Sequence, residues 1–150
     1  MMNEKRKVSI NNKSYPIPIE MRPLWRISLV ILIIKTSTTN NKSVDLRKLN
    51  ILLWMIIRNH DWGVFRKFLY EKNIRAPFIS SDQANYLAIE LAFKIDLIQF
   101  SNEKIILTEK SELFSMRIEE NKLFISERSF LESIISKLTV EKINLIMGKI

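Results

Sequence analysis

The stretch SSDQANYLAIELAFKIDLIQFSNEKIILTEKS, Ser80 to Ser111, sets the organisation of the 150-residue chain. Ser80, Ser81 and Asp82 carry side-chain oxygens suited to the free N–H groups of a helix start. Ala84, Leu87, Ala88, Leu91, Ala92 and Ile95 then recur at three- and four-residue steps, which predicts a helix over 82–95 with that set as its apolar face. Glu90 and Lys94 stand one turn apart as a favourable pair. Beyond Ile95 the period changes to two. Leu97–Phe100 and Ile105–Thr108 are short β-favouring runs on either side of Ser101-Asn102-Glu103-Lys104, and they predict an antiparallel hairpin around a four-residue connection. Thr108, followed by Glu109 and Glu112, opens a further helix.

A helix running into a hairpin that ends Leu107-Thr108-Glu109 resembles the last helix and wing of a winged helix-turn-helix domain. The fold class expected is therefore mainly α with a small β-hairpin, a winged helix-turn-helix-like domain with flanking helices. Three regions follow from the pattern: an extended basic arm over 1–21, the winged-helix-like domain over 22–120, and C-terminal helices over 121–150.

On the N-terminal side, Tyr15-Pro16-Ile17-Pro18-Ile19 is extended, because alternate prolines fix φ and remove N–H donors. The arm packs on its own domain or lies along a partner. Pro23 suits a first helical turn, and Leu24 to Ile34 is almost without a polar gap, so that helix should be buried on most sides. Thr36 to Ser43 reads as a polar loop, with Ser43 or Asp45 capping a second helix over 44–58 whose stripe is Leu46, Leu49, Leu53, Ile56 and Ile57. Asn59-His60-Asp61 breaks the pattern before a third helix, 62–72, carrying Val64, Phe65, Phe68 and Leu69. Trp25, Trp54 and Trp62 have aliphatic neighbours and read as core fillers.

Past the hairpin, Glu109 to Glu120 reads as helix, Leu123-Phe124-Ile125 as a short extended piece, and Ser126 or Ser129 as the start of a helix with Phe130, Ile134 and Ile135. Thr139 opens a last one with Ile143 and Ile146. These terminal helices either cover the winged unit or show an apolar face to another subunit.

Composition narrows the function more by exclusion than by assignment. At 47% hydrophobic residues the chain is long and apolar enough for a core, and the absence of cysteine removes disulfides and thiolate metal sites, which suits a cytoplasmic protein. The run Ile27–Ile34 is far shorter than the roughly 20 residues of a membrane span, and the N-terminus lacks the apolar segment of a secretory leader. With two glycines there is no phosphate-cradling loop, and the lone His60 has no companion for a metal site or a nucleophile triad. Neither enzymatic activity nor a cofactor is expected.

Net charge is +8, and residues 1–50 hold ten Lys/Arg against three Asp/Glu, while 101–150 hold eight against eight. The excess is N-terminal. Candidate contacts to nucleic acid or an acidic partner are therefore Lys5, Arg6, Lys7, Lys13, Lys42, Arg47 and Lys48, through sequence-independent, salt-sensitive binding. Candidate contacts to a protein partner are Arg22 and Arg26, a pair one turn apart that otherwise solvates the helix end, and Phe130, Ile134, Ile143 and Ile146.

Glu20-Met21-Arg22-Pro23-Leu24, the apolar helix behind it, Leu49-Asn50-Ile51-Leu52-Leu53-Trp54, and Ile106-Leu107-Thr108-Glu109 together resemble the small middle components of three-component ABC-ATPase systems, of which Lamassu-type anti-phage defence is one. The resemblance covers Pro18 to Glu112 and rests on hydrophobic pattern and order. It implies a non-enzymatic accessory subunit that binds an SMC-like ABC ATPase, which senses DNA, and bridges it to an effector such as a nuclease. The competing class is a DNA-binding winged-helix transcription regulator. The hairpin favours that class, whereas two lysines against four acids between Ser81 and Lys104 speak against it.

Overall fold

The computed structural model describes residues 23–80 and 82–148. Its centre is helix α1, Pro23–Thr39, in which every residue from Arg26 to Ile34 is buried, as are Thr36 and Ser37. A helix apolar all round has no face to give to water, so it is stable only when other elements wrap it. Helices α2 (Leu46–Ile57), α4 (Gln83–Lys94), α5 (Glu109–Glu120) and α6 (Ile125–Ile134) and the second strand of the hairpin all pack on it. The expected loop over 36–43 is shorter than the sequence suggests. α1 continues through Thr39, because the Thr38 and Thr39 hydroxyls donate to the Ile34 and Lys35 carbonyls, which keeps their polar groups satisfied within the helix.

Asp45 caps α2, its carboxylate accepting the Lys48 N–H at 2.8 Å, and the apolar stripe of α2 is buried from Leu49 to Ile56 except at Asn50. A 3-10 turn at Asn59–Asp61 leads into α3, Trp62–Tyr70, where Phe65, Phe68 and Leu69 are buried. Trp62 stacks on Phe130 at 4.4 Å and donates its indole N–H to the Met55 carbonyl.

Asp82 caps α4 as expected, accepting from the Ala84 and Asn85 N–H groups. The buried face differs from the expected one. It consists of Asn85, Ala88, Ile89 and Ala92, whereas Leu87, Leu91 and Ile95 are exposed. α4 carries two apolar stripes about a third of a turn apart, and the one with small side chains faces α1 because Ala88 and Ala92 let the backbones approach. α5 meets α1 in a similar way, with Ser111, Ser115 and Ile118 inward and Leu113 and Met116 outward.

The hairpin exists as β1 (Ile98–Ser101) and β2 (Lys104–Leu107), paired antiparallel from Ile98↔Leu107 to Ser101↔Lys104. Its connection is therefore two residues, not four. Asn102 (φ 53) and Glu103 (φ 67) are both left-handed, as a type I′ turn demands. Ile98 and Ile105 point inward. On its outer edge β2 makes one further ladder contact, the Ile105 N–H donating to the Val44 carbonyl at 2.7 Å, which ties the segment before α2 to the hairpin. Thr108 caps α5 and donates its hydroxyl to the Asp96 carbonyl at 2.7 Å, closing the hairpin at its base.

Residues 123–125 are not extended. Lys122 and Phe124 adopt left-handed turn conformations, and α6 begins directly at Ile125. α6, a 3-10 turn at Ile135–Lys137, and α7 (Val140–Ile146, capped by Thr139) complete the same core, with α6 lying on α1, α2 and α3. Lys142 pins α7 by donating to the Phe68 and Glu71 carbonyls at the end of α3, at 2.7 and 2.8 Å. Among the described residues no helix is long and apolar enough to cross a membrane.

Glutamate in the left-handed region costs about 1–2 kcal/mol that glycine avoids. Glu103→Gly is expected to stabilise the fold by about 1 kcal/mol, a rise of roughly 2–4 °C in Tm. An unchanged or lower unfolding midpoint would show that the turn is not type I′.

Candidate functional site

Arg26 is the one charged residue buried on α1. It donates from Nη1 to Asn85 Oδ1, and the same nitrogen lies 3.8 Å from Asp82 Oδ2. Arg58, at the end of α2, approaches that carboxylate oxygen at 3.8 Å from the other side. Its guanidinium lies 3.3 Å over the Trp54 ring and donates to the Trp54 carbonyl. Asp82 thus caps α4 and offsets two guanidinium groups, joining the ends of α1, α2 and α4. Burial pushes Arg58 below its usual value, Asp82 opposes that shift, and Arg26 adds to it. Arg26 is therefore an internal pin and not the partner contact the sequence suggests, because its guanidinium faces Asn85 and Asp82 inside the fold.

The terminal helices are corrected on the same ground. Phe130, Ile134 and Ile143 are buried within this chain's own core and present nothing to another subunit. Ile146 is half-buried and, with Leu46, Ile51, Ile79, Tyr86 and Met147, lines an open groove of about 570 Å³ rimmed by Arg47 and Asn50. Lys5, Arg6, Lys7, Lys13 and Arg22 lie outside the described residues.

Lys42 and Lys48 are brought near a residue that sequence reasoning did not single out, Lys104. The Ile105–Val44 hydrogen bond sets the hairpin tip beside the α1–α2 loop, so Lys42 and Lys104 both lie close enough to Lys48 to act on its charge. Burial pushes the half-buried Lys48 below its usual value; Lys42 pushes the same way, Asp45 opposes, and Lys104 adds to the lowering. Asp45 also lies 3.7 Å from Arg47. The pairing of Val44 with the hairpin is long-range, and no local pattern around Lys104 announces it.

A third surface is apolar. Leu87, Leu91 and Ile95 are spaced to form one exposed stripe along α4, beside the Glu90–Lys94 pair at 3.9 Å. Near the end of α4, the exposed Phe100 stacks on Phe93 at 4.8 Å. Phe78, 82% exposed, stands with its edge against Trp54.

Comparison of the chain with protein-family models, with curated proteins and with solved structures finds no match.

Two outcomes follow from this geometry. Asn85→Leu removes the acceptor of a buried guanidinium and is expected to cost about 1–3 kcal/mol, while adding Arg26→Met should recover most of the loss. Equal destabilisation of the single and double variants by denaturant unfolding would refute the pairing. Lys48 is the second case. Its folded value lies below 10.5, so folding disfavours its protonated form. The penalty is complete below the folded value and disappears as pH rises from there to 10.5. Lys48→Met should therefore be the more stable protein at pH 7, with the difference from wild type shrinking toward pH 10.5.

Proposed function

We propose that this chain is a non-enzymatic, winged-helix-like subunit of a cytoplasmic SMC-like ATPase complex in bacterial anti-phage defence, bridging the DNA-sensing ATPase and its effector. The winged-helix reading is supported by the order α1, Val44 edge, α2, α3, α4, β1, β2, in which the segment before α2 contacts the hairpin as a third strand of a wing would. The ATPase and the defence role rest on the sequence resemblance over Pro18 to Glu112.

The observation that carries the subunit role is the outward face of α4. In a DNA reader the helix before the wing enters the major groove and offers donors and acceptors to base edges. Here the equivalent face offers Leu87, Leu91 and Ile95, and two cations beside it are engaged, Lys94 with Glu90 and Lys110 with the Ile95 carbonyl. Such a stripe suits the apolar centre of a protein interface. A second reading, the DNA-binding regulator, is favoured by the cations at the hairpin tip but requires those leucines to face base edges.

Co-expression with the SMC-like ATPase tests the proposal. Wild type should elute with the ATPase as a complex of fixed stoichiometry by light scattering. Leu87→Gln/Leu91→Gln, whose changes are exposed and helix-compatible, should keep its Tm and lose the complex. A complex that survives this variant, or no complex with wild type, sinks the reading; tight binding to one operator sequence would favour the regulator.

A further inference from the structure

We infer that the face formed by the α1–α2 loop and the β1–β2 tip grips the phosphate backbone of duplex DNA without reading its sequence. The two projections are held together by a backbone bond, Ile105 N–H to Val44 O at 2.7 Å, so their relative position is fixed by the fold and not by side-chain flexibility. Lys104 adjoins one end of that bond, and Lys42 and Lys48 flank the other. Burial is the main cause of the lowered proton affinity of the half-buried Lys48, and repulsion from Lys42 and Lys104 adds to it. Asp45 and Glu103 are the carboxylates on these segments; Asp45 is committed to the α2 cap and to Arg47, which leaves the face positive. A bound anion would remove the repulsion.

The neighbouring residues select among anions. Asn41, Ser43 and Asn102 are exposed and polar, the neutral groups that commonly add hydrogen bonds to phosphate oxygens. An acidic peptide would need an apolar anchor; the groove beside Arg47 could supply one, but Lys42 and Lys104, on the two projections, do not line it. Single-stranded DNA would need free aromatic rings for stacking; the nearest on the hairpin, Phe100, is already stacked on Phe93. On the two projections themselves, Lys42 and Lys104 with Asn41, Ser43 and Asn102 offer charge and polar donors, which match a duplex backbone.

The test is fluorescence anisotropy of the full chain on two unrelated 30-base-pair duplexes and on single-stranded oligo(dT). Each phosphate contact contributes about −0.9 to the slope of log affinity against log salt, so three give roughly −2.7, an affinity loss of about 40-fold between 50 and 200 mM salt. The duplexes should bind alike. Lys42→Glu/Lys104→Glu should weaken binding at least tenfold at 50 mM salt and flatten the slope by about 1.8. Lys72→Glu/Lys122→Glu, with the same change in net charge, should leave the slope unaltered. Should the first variant fail to fold, Lys42→Gln/Lys104→Gln serves with the same expected flattening. Equal losses in the reversal and control variants, tighter binding to oligo(dT), a strong preference for one duplex, or binding indifferent to salt would each overturn the inference. Leu87→Gln/Leu91→Gln should bind DNA as wild type does, so loss of the ATPase complex and loss of DNA binding are separable.

Discussion

The fold depends on burying α1 on all sides. From Arg26 to Ile34 no residue reaches solvent appreciably, and a helix without a polar face cannot rest on a surface. Each fully buried leucine or isoleucine contributes about 1.5–3 kcal/mol through removal of apolar area from water. That requirement dictates the arrangement of the rest: α2, α4, α5, α6 and β2 are the wall around this axis. It also explains why α4 turns its alanines inward. A wall element gains most by approaching closely, and Ala88 and Ala92 permit what Leu87 and Leu91 would block.

Placing a guanidinium in that interior carries a desolvation cost that geometry must offset. Arg26 meets it in part, through Asn85 and Asp82 at the start of α4, while its buried Nε finds no hydrogen-bond partner among the described residues. The same carboxylate caps α4 and faces Arg58, so the direction in which α4 leaves the core is coupled to the ends of α1 and α2. Specific placement of α4 then follows from polar contacts, while its depth follows from small side chains. The hairpin inherits that placement, because Ile98 begins soon after α4 ends and Thr108 binds back to Asp96.

Much of this was legible in the residues themselves. The change of period after Ile95 announced the hairpin, Asp82, Thr108 and Thr139 announced three helix starts, and the tryptophans fell in or against the core. What the sequence could not decide was which of two apolar stripes faces inward. Leu87, Leu91 and Ile95 are the more hydrophobic set on α4, and only the proximity of α1 makes Ala88 and Ala92 the better one. The terminal helices posed the same question, and there the core claimed Phe130, Ile134 and Ile143. Helix α1 outran its expected end because threonine hydroxyls can serve a helix from within as readily as a loop. Lys104 could not be grouped with Lys42 and Lys48 because the bond that unites them spans the chain from Val44 to Ile105.

The lysine face and the α4 stripe differ in kind and belong to different sides of the hairpin. β1 follows directly from α4 and its apolar stripe, whereas the free edge of β2 faces Val44 and the lysines of the α1–α2 loop. An apolar stripe repels a hydrated phosphate backbone, and a cluster of ammonium groups repels an apolar partner, so neither surface competes for the other's ligand. The hairpin between them would set the distance at which the two proposed ligands are held. With the proposed protein partner on α4 and DNA at the tip, binding of one leaves the other face open, and the proposed subunit would act by geometry, fixing where an ATPase sits relative to the duplex.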